Sequence, residues 1–269
     1  MRLADVGWVW EGQGLDPGVH PSIFGLGEGA DFFGLRKVRF MFHELTTLAM
    51  DKLRDKEEVV CDISKWRCKD APNGGTEHFL DGSVDAVCKE AAKVSGISRD
   101  YANVRGGYYD DMKGLMTRDF NGESGMNLSG LEAVSAIRSA LTSRNPGLRL
   151  ECVVYTHELD EPAFWRPLAG LMDVVSLWAW GYRRLDSYED DIERCREVFG
   201  TTPVLMGWYL RDYPSAAPIP MQSVRRQGDI LLRGLNSGQL AGFDLLGTVL
   251  IDGQLEQATW IRDFIRANS

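Results

Sequence analysis

The chain has 269 residues, of which 44% are hydrophobic and 26% are charged. This composition allows a sizeable buried core, in one large domain or in two smaller ones. The formal net charge of -9 argues against partners that select basic surfaces, so neither nucleic acid nor an anionic membrane surface is an expected partner.

Eight short segments rich in valine, leucine, phenylalanine and tryptophan alternate with eight segments of helical periodicity. The predicted strands are Ala4–Trp10, Lys37–His43, Glu58–Ser64, Asn103–Tyr109, Arg149–His157, Asp173–Trp180, Pro203–Leu210 and Gly242–Ile251. The predicted helices are Ile23–Phe33, Leu45–Asp55, Val84–Ser95, Leu128–Ser143, Glu161–Leu171, Tyr188–Phe199, Met221–Asn236 and Leu255–Ala267. The repeating unit is therefore one strand followed by one helix.

This alternation predicts an α/β fold with parallel strands joined by right-handed crossovers. Because eight units fill the chain, we expect a closed (β/α)8 TIM barrel that forms a single domain over residues 1–269. An open doubly wound sheet is the alternative, and it is disfavoured because the first strand precedes WEGQGLDPG rather than a G-x-G-x-x-G loop. In a closed barrel the active site lies at the C-terminal ends of the strands.

Alternate positions along several predicted strands carry charges, and we expect them to face the barrel interior, where opposite charges can pair. These positions are Asp5, Lys37, Arg39, Glu58, Arg105, Arg149, Glu151 and Asp244. The same alternation brings polar side chains to the barrel mouth, namely Glu11, His43, Asp62, Asp111, Tyr155, His157 and Asp252. A bulge near a strand end would reverse the alternation, so Asp110 and Glu158 are also candidates for the mouth.

The candidate catalytic residues are Asp110 and Asp111 in YYDDMKG, and Glu158 in YTHELDEP. Two neighbouring acids beside Tyr108 and Tyr109 can hold different protonation states, as general acid–base catalysis requires. Glu158 would supply the second carboxylate that glycoside hydrolysis normally uses. Structural roles are the alternative: the aspartates can cap a turn or a helix, and Glu158 can begin the next helix.

Aromatic side chains near the predicted strand ends indicate a carbohydrate ligand, because broad apolar rings with a polar edge suit the faces of pyranose rings. These side chains are Trp8, Trp10, Trp66, Trp178, Trp180, Trp208, Tyr155 and Tyr209. Polar groups expected to bind the sugar are Glu11, His43, Asp62, Lys65, His157 and Arg211. The alternative is that some of the rings fill the core. If the rings bind sugar, at least three of the tryptophans should line one pocket.

The strand-end segments YYDDMKG, VVYTHEL, SLWAW and MGWYLRDYP are spread over most of the chain. Together they resemble the corresponding segments of an uncharacterised group of glycoside-hydrolase-like (β/α)8 barrel proteins. The resemblance implies a sugar-active barrel with an oligosaccharide or glycoside substrate, and it implies no particular catalytic pair. Large retaining families place glutamates at the ends of strands four and seven, whereas here those strands end in Asp110 and Asp111, and in Arg211 and Asp212.

Two other functions stay open. A metal-dependent isomerase or hydrolase would need oxygen and nitrogen ligands, for which the candidates are Glu11, His43, Asp62, His157, Glu158 and Asp252. No two of the histidines have H-x-H or H-E-x-x-H spacing, so we expect no metal and no cofactor. A barrel that binds sugar without cleaving it is the other alternative.

The five cysteines are odd in number and scattered, which favours buried thiols over a disulfide framework and a reducing compartment. The N-terminal segment MRLADVGWVW has no charged and then apolar leader, so a cytoplasmic location is expected, although a trimmed secreted chain would look the same. No apolar run approaches the roughly 18 residues that a membrane-spanning helix needs.

Overall fold

A computed structural model describes residues 2–12, 19–70, 74, 76–118 and 130–269. Within these residues, eight parallel strands close into a barrel with helices between them, which confirms the predicted (β/α)8 fold. The strands are β1 (Gly7–Trp10), β2 (Lys37–Phe40), β3 (Glu58–Asp62), β4 (Val104–Tyr109), β5 (Arg149–Tyr155), β6 (Val174–Trp178), β7 (Val204–Tyr209) and β8 (Gly242–Leu246). Each strand pairs with the next along the chain, and β8 closes the barrel against β1.

The α-helices of the described residues surround this barrel. They are α1 (Leu3–Val6), α2 (Leu26–Phe33), α3 (Thr47–Lys52), α4 (Val84–Ile97), α5 (Met112–Arg118), α6 (Gly130–Thr142), α7 (Pro162–Trp165), α8 (Tyr188–Phe199), α9 (Met221–Asn236) and α10 (Leu255–Ala267). The last three begin and end at the predicted residues. Within the described part of the chain, no helix has both the length and the apolar character needed to cross a membrane.

The structure contains elements that the sequence pattern did not predict. An antiparallel hairpin between β3 and α4 pairs Lys65–Asp70 with Thr76–Asp81. Trp66 lies in this hairpin, and its side chain is outside the described part of the structure. Helix α5 follows β4 directly, and helix α1 replaces the first residues of the predicted first strand. The hairpin and α5 both follow the C-terminal ends of strands, so they add to the mouth of the barrel.

The barrel interior contains a buried charge network, as the strand alternation predicts. Arg39 on β2 binds Asp244 on β8, with 2.9 Å between Nε and Oδ1, and it also pairs with Glu151 on β5. None of the three side chains has exposed surface. Pairing offsets part of the cost of removing these charges from water. The network therefore connects three strands across the interior.

Two of the charges predicted to face the interior lie elsewhere. Arg105 is exposed, because the pairing of β3 with β4 contains a bulge that skips this residue. The bulge reverses the alternation in the rest of β4, so Tyr108 points inward, with its ring centroid 4.4 Å from the guanidinium carbon of Arg39. Asp5 lies in α1, where it forms an exposed ion pair with Arg2.

An aromatic layer of Trp10, Tyr108, Trp178 and Tyr209 closes the interior near the C-terminal ends of the strands. Trp10 packs edge-on against Tyr108 and Trp178, with ring centroids 5.1 and 5.2 Å apart. Trp178 packs in turn against Tyr209 at 4.6 Å. All four side chains are buried. The layer therefore separates the charged interior from the loops of the mouth.

Candidate active site

The adjacent strands β4 and β5 bring candidate acids to one cavity. This cavity has a volume of about 480 Å3 and is lined by Asp111, Gly114, Tyr155, His157, Glu158 and Trp180. The lining residues all lie at or just after the C-terminal ends of β4, β5 and β6. We call it the mouth cavity, because βα loops form it at the end of the barrel where active sites of this fold lie.

Tyr155, the last residue of β5, connects the two acids that line the mouth cavity. Its hydroxyl donates a hydrogen bond to Oδ1 of Asp111 at 2.8 Å. Its backbone amide donates to Oε2 of Glu158 at 3.0 Å, across the first turn of the 3-10 helix Thr156–Asp160. One residue therefore holds one oxygen of each carboxyl group.

Burial changes the protonation of Glu158, which is only 7% exposed. Loss of solvent raises the pKa of its carboxyl from 4.5 to about 7, and the opposing effects of the Tyr155 amide and of Lys113 are smaller. Lys113 is itself bound to Glu161, with 2.7 Å between Nζ and Oε1. A carboxyl with a pKa near 7 keeps a large protonated fraction at neutral pH and can act as a general acid.

The two adjacent aspartates have different environments. Asp111 has a φ of 47°, a left-handed conformation that aspartate adopts more readily than most residues, and it lines the mouth cavity. Asp110 is buried, and its Oδ1 accepts the backbone N–H of Asp111 at 3.0 Å. Burial and the nearby charges of Asp111 and Asp62 raise the pKa of Asp110 well above its usual value. The direction of this shift favours the protonated form of Asp110, and Asp111 is the acid of the pair that lines the mouth cavity.

Ser64 links the ends of β3 and β4 beneath these acids. Its hydroxyl oxygen lies 3.1 Å from Oδ1 of Asp62 and 3.2 Å from the carbonyl oxygen of Asp110, and it accepts the Asp110 backbone N–H at 3.0 Å. Asp62 is 1% exposed, and burial raises its pKa. Asp62 also accepts the backbone amides of Ser64 and Phe42. Its oxygens thus anchor loops, which differs from the expected contact with a sugar.

Trp180 supplies an exposed aromatic surface in the mouth cavity, with 44% of the residue exposed. Its ring stacks on Tyr213, with centroids 4.9 Å apart, and meets the ring of Tyr155 edge-on at 5.3 Å. The exposed His157 stacks on Tyr155 at 5.6 Å. These contacts fix the orientation of the Trp180 ring while part of it remains accessible to a ligand.

Solved structures with a similar fold include several glycoside hydrolases. A chitinase from Chromobacterium violaceum matches with a TM-score of 0.55, covering 98% of this chain and 99% of that one at 14% identity. A putative alpha-L-fucosidase from Bacteroides thetaiotaomicron matches with a TM-score of 0.60, covering 97% and 93% of the two chains at 9% identity. A family 18 chitinase from Crocus vernus matches with a TM-score of 0.54, covering 96% and 98% at 11% identity.

The chain shares the closed (β/α)8 barrel fold of these solved structures. At these identities the likeness establishes the fold alone, since one fold hosts many activities. Neither models of protein families nor curated protein sequences give a match to this chain.

The prediction that at least three tryptophans line one pocket is wrong for the described rings. Four of them are at most 6% exposed: Trp8, Trp10, Trp178 and Trp208. Trp8 lies inside the barrel, with its ring 4.3 Å from the guanidinium carbon of Arg39. Trp208 packs outward against Phe264 of α10, and the other two belong to the aromatic layer together with Tyr209. These rings fill the core because burial of aromatic surface is strongly favourable there.

Other groups expected to bind sugar lie outside the mouth cavity. Glu11 and His43 form an ion pair, 2.8 Å between Oε2 and Nε2, at a second cavity of about 420 Å3 beside α2 and α3. The hydrogen bond with Glu11 raises the pKa of His43. Lys65 is buried and donates to the carbonyl oxygen of His43 at 2.8 Å. Arg211 is 3% exposed and lies 5.7 Å from the Tyr213 ring, so neither cation has much surface for a ligand.

The residues considered as metal ligands meet at most in pairs within the described part of the chain. Among the described residues, no group of three or more His, Cys, Asp or Glu side chains has an arrangement that could hold a metal ion. Asp252 accepts hydrogen bonds from Ser22 and from the backbone of Ile23, at the outer rim of the mouth. His43 pairs with Glu11, and these residues line the second cavity.

Sequence analysis missed three residues that shape the site: Gly114, Ser64 and Tyr213. Gly114 lies in α5, a helix of seven residues that is too short for a clear periodicity. Ser64 follows Asp62 by two residues, and its backbone N–H binds Oδ1 of Asp62, so the Asx-turn spacing was a usable signal. Tyr213 supports Trp180 through a contact between two loops, which has no local sequence signature.

Proposed function

We propose that this chain is a glycoside hydrolase in which Glu158 is the general acid and Asp111 is the second carboxylate. The observation that carries the proposal is that both acids line the mouth cavity and bind the two ends of Tyr155. The similarity to chitinases and to a putative fucosidase supports the proposal at the level of the fold.

In this proposal Glu158 protonates the glycosidic oxygen as the bond to the leaving group breaks. Its pKa of about 7 keeps a donor proton available near neutral pH. General acid catalysis by a positioned side chain typically contributes about 10²–10⁴-fold in rate. In a retaining sequence Glu158 then regains its proton from the water that hydrolyses the glycosyl-enzyme intermediate. In an inverting sequence Asp111 takes the proton of the attacking water, and both carboxyl groups return to their starting states by proton exchange with solvent.

Asp111 acts on the opposite side of the scissile bond. The hydrogen bond from the Tyr155 hydroxyl stabilises its negative charge. In a retaining enzyme this carboxylate attacks the anomeric carbon, and the two carboxyl groups are roughly 5–5.5 Å apart; in an inverting enzyme it activates water, and they are roughly 6.5–9.5 Å apart. Neighbouring strands lie about 4.8 Å apart, so both spacings are reachable from β4 and β5. Proton NMR of the first-formed sugar anomer distinguishes the two outcomes.

Trp180 provides the binding surface for the sugar ring. Its ring stacks on the Tyr213 ring with 29° between the two ring planes, and it lines the same cavity as the two acids. A pyranose whose C–H face stacks on this ring would lie in the same cavity as both carboxyl groups. The buried tryptophans need not contact the sugar in this arrangement.

The proposal is tested with a panel of aryl glycosides and oligosaccharides, assayed with and without a chelator. On oligosaccharides and on aryl glycosides with poor leaving groups, we expect Asp111→Asn and Glu158→Gln each to lower turnover at least 100-fold with folding intact. The matched control is Asp263→Asn, because Asp263 is an exposed acid of α10 that pairs with Arg262. Loss of activity with the chelator would favour the metal-dependent alternative. Binding of sugars without turnover would favour the non-catalytic alternative.

A further inference from the structure

An ion pair beside the mouth cavity connects the segments that follow β4 and β5. Lys113 lies in α5, two residues after Asp111, and its Nζ is 2.7 Å from Oε1 of Glu161. Glu161 follows the 3-10 helix that carries Glu158, and its backbone N–H donates to the carbonyl oxygen of Glu158 at 3.1 Å. The pair therefore joins the segment that carries one candidate acid to the segment that carries the other.

The two members of this ion pair differ in their contact with water. The side chain of Lys113 is 11% exposed, whereas that of Glu161 is 69% exposed. The ammonium group of Lys113 also lies 5.8 Å from the centroid of the Phe164 ring. A cation that is mostly withdrawn from water needs an anionic partner, and an exposed glutamate can leave such a partner at little cost. Glu161 is thus the member of the pair that can give up the contact.

The two charges of the pair affect Glu158 in opposite directions. Burial is the largest effect and raises the pKa of Glu158. The ammonium group of Lys113 lowers this pKa, and the carboxylates of Asp111 and Glu161 raise it. A cation favours the carboxylate form of a neighbouring acid, and an anion favours the protonated form. Removal of one member of the pair should therefore have the opposite effect from removal of the other.

Other ionisable groups pack around the 3-10 helix that carries Glu158. From α8, Arg194 binds Asp160 of this helix at 2.6 Å and Asp191 at 3.3 Å. From β5, Cys152 contributes a thiol whose pKa is raised well above its usual value by burial, so it is uncharged at neutral pH. His157 lies on the helix itself and is exposed. All of these groups stay the same in the variants of the test, so they do not account for a difference between the variants.

We infer that Lys113 and Glu161 act as a charge pair that controls how readily Glu158 releases its proton. The inference deepens the proposed function, on which its catalytic readout rests. When Glu158 transfers its proton to the glycosidic oxygen it becomes a carboxylate, and the ammonium group of Lys113 stabilises this new charge. Glu161 limits the stabilisation because it binds the same ammonium group. Lys113 is therefore a positioning residue that acts through Glu158.

A carbon-13 NMR titration of the glutamate carboxyl groups measures the pKa of Glu158 without any substrate. The resonance that is missing from Glu158→Gln identifies this group. We expect its pKa to rise by at least about 0.3 in Lys113→Met and to fall by at least about 0.3 in Glu161→Gln, as parts of the roughly 1–3 units that a close opposite charge causes. The first variant removes the cation, and the second frees it from its partner. Lys113→Arg keeps the cation and should leave the pKa close to its original value.

The matched controls remove a lysine and a glutamate from ion pairs elsewhere. Lys37 pairs with Glu58 at the N-terminal ends of β2 and β3, and its side chain is 15% exposed. Glu189 of α8 is half exposed and pairs with Arg233 of α9. We expect neither Lys37→Met nor Glu189→Gln to move the titration of Glu158.

Opposite shifts in the two variants of the pair would support the inference. A shift in the same direction in both variants, or no shift in either, would overturn it, because damage to the structure has no sign that depends on the charge removed. Since Glu161 is exposed, Glu161→Gln should keep the fold and tests the inference even if Lys113→Met does not fold.

The pH profile of kcat/KM connects this titration to the proposed function. We expect the alkaline limb to move to higher pH in Lys113→Met and to lower pH in Glu161→Gln, by the amounts that NMR gives for Glu158. If the carboxyl titrates as expected but no glycoside is cleaved, the inference stands and the proposed function falls. If Glu158 is needed for cleavage but its titration is the same in all variants, the proposed function stands and the inference is overturned.

Discussion

The hydroxyl of Tyr155 lies 2.8 Å from Oδ1 of Asp111, and the backbone amide of the same tyrosine holds Glu158. Two strands therefore position their acids through one shared residue. Because Tyr155 ends β5, its position follows from the pairing of β5 with β4 and β6. The relative placement of the two carboxyl groups is thus set by the barrel itself as well as by the loops.

Removal of the Tyr155 hydroxyl should impair catalysis more than folding. A hydrogen bond to a charged group contributes about 1.5–3 kcal/mol, which corresponds to roughly tenfold to hundredfold in rate if it acts on the transition state. We expect Tyr155→Phe to lower kcat by that factor. The matched control is Tyr109→Phe, which removes a buried hydroxyl that binds the carbonyl oxygen of Gly82. Equal effects of the two variants on kcat would show that Tyr155 has no special role.

The activity should fall as the pH rises through about 7. Burial raises the pKa of Glu158 to about 7, so the acid form dominates below this pH and disappears above it. We expect the alkaline limb of kcat/KM against pH to have its midpoint near 7 and to be absent from the residual activity of Glu158→Gln. An alkaline limb that is unchanged in this variant would assign the titration to another group.

The same substitution should change stability in a pH-dependent way. The folded-state pKa of Glu158 is raised from 4.5 to about 7, so the folded protein binds the proton more tightly and loses stability as the pH rises through this range. Above pH 7 the loss of folding free energy that this shift causes approaches about 3 kcal/mol, since each pKa unit corresponds to about 1.4 kcal/mol. Glu158→Gln should therefore stabilise the protein at pH 8 but not at pH 4.

Urea unfolding of both proteins at the two pH values measures this difference. Glu197→Gln is the matched control, because Glu197 is an exposed residue of α8. A stabilisation by Glu158→Gln that is equal at pH 4 and pH 8 would contradict the linkage. If the gain appears only at pH 8, the carboxyl of Glu158 is retained at a cost to stability, which is usual for a functional group.

Ser64 should act as a positioning residue for the acids on β4. Its hydroxyl binds the backbone of Asp110 and the carboxyl of Asp62, so its loss leaves buried polar groups without a partner, at a cost of about 1–3 kcal/mol. We expect Ser64→Ala to lower kcat with little change in KM. The control is Ser98→Ala, since the buried Ser98 binds Ser95 and Asn145 away from the mouth. A loss of stability in both variants without a change of kcat in either would limit Ser64 to a structural role.

The barrel was predictable from sequence because its evidence is repetitive. Strand and helix periodicities recur eight times, so an error in one unit does not change the fold. The predicted first and last residues of helices α8, α9 and α10 agree with those in the structure. Helices α8 and α10 have amphipathic patterns, and Gly200 follows the end of α8. The buried pairing of Arg39 with Asp244 also followed from the strand alternation.

The site was predictable only in part, because it depends on irregular backbone and on tertiary packing. A bulge at Arg105 reversed the inward and outward alternation of side chains in β4. Asp111, which follows β4, has a left-handed backbone conformation and lines the mouth cavity. Glu158 faces the cavity because a 3-10 turn follows β5, which has no clear local signal. Trp208 and Trp180 both lie near strand ends, yet one is buried against α10 and the other is exposed. Period-2 alternation cannot distinguish these two environments.

The central claim is that Glu158 protonates the leaving group, and the most direct measurement is kcat/KM for aryl glycosides with leaving groups of different acidity. A poor leaving group needs the proton, whereas a dinitrophenolate departs without it. We predict that Glu158→Gln loses at least 100-fold on the poorest leaving group and less than tenfold on the dinitrophenyl glycoside. An equal loss on all leaving groups, or no loss on any, would contradict the assignment of Glu158 as the acid.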